Sequence, residues 1–133
     1  MEKEFITYNQ ALALKELGFD EPCFGYYGVE NELCVEISCN LDHNLTRRNF
    51  IAVPTCSQAF RWFREKYNLH AEPYTADMGA IEYCFQIRDL YSEKYVYDNF
   101  VGAGSSYSGA FNTFEEAELE CLKKLIELVK ENN

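Results

Sequence analysis

The sequence predicts an α+β fold, an antiparallel sheet of about five short strands packed against three helices in the order α-β-β-α-β-β-β-α. Two observations predict it. Three segments read T-x-x-[QE]-A at the start of apolar runs with helical spacing, and between them the apolar period changes to two. Antiparallel runs between helices favour α+β over a parallel α/β sheet.

The first motif is Thr7-Tyr8-Asn9-Gln10-Ala11. A Thr hydroxyl there accepts from the third helical amide while the Gln side chain reaches back to the cap amide. The helix is expected over Tyr8 to Leu17, with Ala11, Leu12, Leu14 and Leu17 as its apolar face. Gly18 suits the left-handed position beyond a helix end, and Phe19 is placed to pack back on Leu14. Cys23 to Gly28 and Leu33 to Cys39 then read as a hairpin about Val29-Glu30-Asn31-Glu32. Leu33, Val35, Ile37 and Cys39 share one face, with Cys34, Glu36 and Ser38 on the other. Asn40 to Val53 reads as irregular.

The second motif, Thr55-Cys56-Ser57-Gln58-Ala59, follows Pro54 and opens a helix to about Tyr67. Ala59, Phe60, Phe63 and Tyr67 make its buried stripe, with Trp62 on the flank and Arg61, Arg64 and Lys66 around the other sides. Ile81, Tyr83, Phe85 and Ile87 alternate with Glu82, Cys84, Gln86 and Arg88. That strand is expected to pair with Ala71 to Ala76 through Asp77-Met78-Gly79, and with Lys94 to Phe100. Gly102 to Asn112 reads as irregular. The third motif, Thr113 to Ala117, opens a helix over Phe114 to Glu131. Its seam is Ala117, Cys121, Leu122, Leu125, Ile126 and Val129, broadened by Leu119 and Leu128, so that a dimer contact is easy to accommodate. The first two motifs begin 48 residues apart, a hint of internal duplication.

A length of 133 residues fits one domain over 1–133, and 47% hydrophobic residues provide for a core. No apolar run approaches the roughly 20 residues that cross a bilayer. The start Met1-Glu2-Lys3-Glu4 lacks the basic-then-apolar layout of a signal peptide, so a cytoplasmic protein with reduced thiols is expected. The net charge of -10 makes nucleic acid a poor partner and disfavours anionic lipid. One stretch departs from that balance. Leu41 to Leu69 carries Arg47, Arg48, Arg61, Arg64 and Lys66 against Asp42 and Glu65. It reads either as a solvated, internally paired surface or as a docking site for a phosphate-bearing molecule or an acidic patch.

No catalytic constellation stands out. The six cysteines include no CxxC pair, and Cys34 and Cys39 have opposite strand parity, which disfavours a zinc site with His43. Cys56 at a helix start would gain acidity, but His70 stands at the far end of that helix. Cys56 with His43 stays open. Gly102-Ala103-Gly104-Ser105-Ser106-Tyr107-Ser108-Gly109 follows a strand and precedes a helix, where glycine-rich loops cradle phosphate. It lacks the third Gly of a dinucleotide fingerprint and the Lys of a Walker loop. Surface loop is the bland reading.

The three helical segments, Gln10 to Asp20, Ser57 to Tyr67 and Glu115 to Ile126, together resemble a family of small uncharacterised proteins of phages, prophages and mobile elements of gut bacteria. The resemblance implies a cytoplasmic accessory role and brings no activity, cofactor or site residue. The expectation is a non-enzymatic module for a protein partner, with no cofactor, no metal and no membrane. Its candidate surface is Arg47, Arg48, Arg61, Trp62 and Arg64, because an exposed Trp beside Arg is a common interface core. The alternatives are a nucleotide or phosphate-bearing small-molecule binder or hydrolase using Gly102, Gly104, Ser105 and Ser106, and an acidic mimic of DNA.

Overall fold

The computed structural model describes residues 2–36, 50–77, 81–92, 94–98 and 111–132. Each Thr-led motif opens a helix: α1 (Tyr8–Glu16), α2 (Cys56–Tyr67) and α3 (Phe114–Glu131). The Thr hydroxyl accepts from the third helical amide in all three, Gln10 at 3.3 Å, Gln58 at 3.2 Å and Glu116 at 3.2 Å. The return bond forms only at α1, where Thr7 N donates to Gln10 Oε1 at 3.1 Å. Gln58 instead donates to Glu21 Oε1 and to the Pro22 carbonyl, and Glu116 accepts from Asn112 N. The Thr thus caps all three helices, while the third helical side chain closes the box at α1, reaches Glu21 and Pro22 at α2, and holds the amide just before the cap at α3.

The fold is α+β, but its described strands number six and lie in two three-stranded antiparallel sheets. The expectation of one five-stranded sheet is corrected accordingly. By contacts the chain divides into two compact units, Met1–Ala59 and Phe60–Asn133.

In the first unit, α1 ends as its sequence requires. Gly18 takes φ 92°, its N–H bonds the Lys15 carbonyl, and Phe19 N bonds the Leu14 carbonyl at 2.9 Å. A Cβ is disfavoured at that φ. Gly18→Ala is therefore expected to lower stability by about 1 kcal/mol in a denaturant titration, and an unchanged or higher midpoint would contradict the assignment. The sheet has the order β2-β1-β3, from β1 (Gly25–Tyr27), β2 (Leu33–Val35) and β3 (Ile51–Val53). The β1–β2 hairpin turns through Asn31, which adopts φ 61°, with Gly28 N bonded to the Glu32 carbonyl. β3 falls inside the stretch read as irregular, and all three of its residues are buried, with α1 packed on it. Leu33 and Cys34 are half-buried and Val35 is exposed, so the expected one-sided burial of the second hairpin strand is absent from its described part. Ile37, Ser38 and Cys39 lie outside the described residues.

The second unit holds a meander, β4 (Leu69–Asp77), β5 (Ile81–Asp89) and β6 (Lys94–Asp98), in the order β4-β5-β6. The expected pairings are present, with Ala71 opposite Ile87 and Pro73 opposite Phe85. α3 packs on β4 and β5, and its six seam residues are all buried. Burial, reinforced by the Glu118 carboxylate, pushes the Cys121 thiol far above its ordinary range, so it acts as a small hydrophobe. With the seam consumed internally, Leu119 and Leu128 remain as its half-buried margins. The central strand is the first of three in one sheet and the second of three in the other, so the described topologies differ and do not support a duplication. No helix among the described residues is long and apolar enough to cross a membrane.

Candidate binding surface

The sequence-predicted surface survives only in part. Trp62 is 3% exposed and joins Phe63 in the buried stripe of α2, whereas Phe60 and Tyr67 are half-buried. An exposed Trp is thereby corrected. Its ring stands edge-on to Phe63 at 5.1 Å and to Tyr67 at 5.5 Å, and Lys66 Nζ lies 4.9 Å from its centroid. Burial has a spacing reason: position 62 lies three residues from Ala59 and belongs to the same helical face as Phe63. Arg61 is exposed and Arg64 half-buried on α2. Arg47, Arg48, Gly102, Gly104, Ser105 and Ser106 lie outside the described residues.

A surface the sequence reading did not name stands at one end of the second unit. The β5–β6 hairpin turns through Leu90, Tyr91 and Ser92, where polar residues are usual. Tyr91 is 89% exposed and Leu90 44%. On β6, Val96 is 43% exposed beside the irregularity in register between Ile87 and Arg88. The available signal was an apolar Leu-Tyr pair between Asp89 and Ser92, whose Leu90 breaks the alternation of the strand before it.

Hydrogen bonds fix this turn. Asp89 Oδ1 accepts from Tyr91 N at 2.9 Å and from Ser92 N at 3.4 Å. Leu90 N donates to the Asn68 carbonyl at 2.8 Å, and Asn68, at φ 57°, joins α2 to β4. The turn is thus tied to the last turn of α2, which carries Arg64 and Lys66. Next to it, on the sheet face that α3 does not cover, lie His70 and Arg88, directly opposite each other, followed by Glu72 and Gln86. Gln86 Nε2 donates to Glu72 Oε1 at 2.7 Å, and His70 Nε2 is 3.6 Å from Glu72 Oε2. Arg88 is exposed.

A shallow cleft of about 170 Å³ lies between the other face of the hairpin and α3, lined by Phe85, Tyr97, Glu120, Lys123, Lys124 and Glu127. Lys124 Nζ sits 4.8 Å from the Tyr97 ring centroid and 3.6 Å from Glu127 Oε2. Its two lysines and two glutamates balance.

Among the described residues no three His, Cys, Asp or Glu side chains gather as metal ligands. Cys39 and His43, named in the zinc reading, lie outside the described residues, as does the His43 partner of Cys56. Comparison with protein-family models, with curated proteins and with solved structures finds no match in any of the three.

Proposed function

We propose that the chain is a non-enzymatic binding module whose ligand is another protein. The observation that supports this reading is the β5–β6 turn, where an apolar Leu-Tyr pair is displayed to solvent while its backbone is hydrogen-bonded in place. Tyr is enriched at interface cores, and a preorganised anchor loses little conformational freedom on docking. Arg61 and Arg64 of α2 contribute charge to the reading, and Trp62 contributes only packing.

A cytoplasmic accessory role in a phage or mobile element is part of the same proposal, resting on the resemblance of the three helical segments. No observation favours the phosphate-binding alternative, whose Gly102 to Gly109 loop lies outside the described residues.

The experiment is affinity capture by the intact chain, followed by mass spectrometry and a thermal melt of the remixed pair. A stoichiometric protein that raises the melting temperature is expected, since binding to the folded state alone stabilises it. Stabilisation by nucleotides with no captured protein would reverse the order of the two readings.

A further inference from the structure

We infer that Pro73 guards the open edge of the second sheet, so that β4 does not pair with β4 of a second copy of this chain. This role does not depend on the β5–β6 end or on its partner. In the order β4-β5-β6, β4 is an edge strand, and among the described residues no strand lies on its outer side. An edge of nine residues presents a row of unpaired amides and carbonyls, a template for another strand.

The ladder fixes which residues face that edge. Leu90 N donates to the Asn68 carbonyl at 2.8 Å, in step with the register that sets Leu69 opposite Asp89 and Pro73 opposite Phe85. Bonded and non-bonded pairs alternate along an antiparallel ladder. His70, Glu72, Tyr74 and Ala76 therefore bond β5, while Leu69, Ala71, Pro73 and Thr75 turn their backbone groups outward. The other side of β5 agrees, since Tyr83 and Phe111 exchange both bonds there, at 3.0 and 2.8 Å. Pro73 has no N–H to give, and it stands where β5 needs none.

A second copy is the strand this guard answers, because every copy carries the same edge and an antiparallel strand pair is self-complementary about a two-fold axis. Pairing centred on residue 73 would set the two prolines opposite each other and Ala71 opposite Thr75. The central pair would then lack both donors and leave two carbonyls without partners. Any other register that crosses Pro73 meets the same two losses at two places. Pairing that avoids Pro73 is left with Leu69 to Glu72 on one side or Tyr74 to Asp77 on the other. The net charge of -10 opposes the same contact, but salt screens charge and leaves the proline unchanged.

The test is sedimentation equilibrium of the intact chain and of Pro73→Val, in high salt to screen the repulsion between copies. Val restores the missing donor, suits a strand and removes no ladder bond. The variant should keep or raise the melting temperature. It should self-associate about tenfold or more tightly than the native chain, as for two hydrogen bonds regained. Thr75→Pro, added to Pro73→Val, returns a proline to an exposed outward position and should bring association back to the native level. Equal association of the native chain and Pro73→Val would overturn the inference. Association that Thr75→Pro leaves unchanged would also overturn it, because the contact would then run through another surface. A large loss of melting temperature in either variant would mean that the position faces into the fold, with the same consequence.

Discussion

Phe63→Ala is expected to lower the unfolding free energy by about 3–5 kcal/mol, the range for deleting a buried aromatic ring. Phe63 is fully buried, with Trp62 edge-on at 5.1 Å and Tyr67 tilted at 5.9 Å. Deleting its ring removes the transfer free energy of the lost atoms and leaves a cavity that Trp62 cannot fill without leaving its own contacts. Domains of this size are stable by roughly 5–15 kcal/mol, so the loss takes a large share of the total. A denaturant titration reads it as a lower midpoint at similar slope. A loss below about 1 kcal/mol would mean that position 63 faces water, against the packing described.

Gly25→Ala is the second large effect, and its sign is the informative part. In a strand interior, Ala ordinarily gains about 0.5–1 kcal/mol over Gly through the unfolded chain. Here a Cβ would stand 2.8 Å from the Val53 carbonyl oxygen and 2.9 Å from Phe5 Cε1. The carbonyl is backbone of the neighbouring strand β3, paired with Gly25, so the strands must move apart to admit a methyl group. Overpacking of this kind costs about 1–3 kcal/mol. The expected result is a lower midpoint. A higher one would show that β1 and β3 are not in this register.

These two residues also mark what could be read from the sequence. Phe63 lay in the expected stripe because Ala59 and Phe63 repeat at helical spacing, and the α3 seam was legible residue by residue for the same reason. Gly18 and Phe19 gave the end of α1, since a glycine beyond a helix has a specific backbone use. β3 was missed because Ile51-Ala52-Val53 is too short to show a period, and a strand buried on both faces has no alternation to show. The role of Gly25 depends on β3 and was hidden with it. Trp62 was misplaced because Ala59 and four aromatic residues in one helix can be drawn as two overlapping stripes. Only the tertiary packing chooses between them. The hairpin end went unread because exposure of Leu90 and Tyr91 is a property of the turn fixed by Asp89 and Asn68, which no periodicity encodes.

One feature makes that end the centre of the functional account: an apolar Leu-Tyr pair displayed on a turn whose backbone is hydrogen-bonded in place. Amide hydrogen exchange on the chain with and without its captured partner tests this most directly. The account predicts slowed exchange concentrated in peptides covering Arg88 to Tyr97 and the end of α2. Slowed exchange confined to other segments, such as the β1–β2 hairpin or the Gly102 to Gly109 loop, would contradict it.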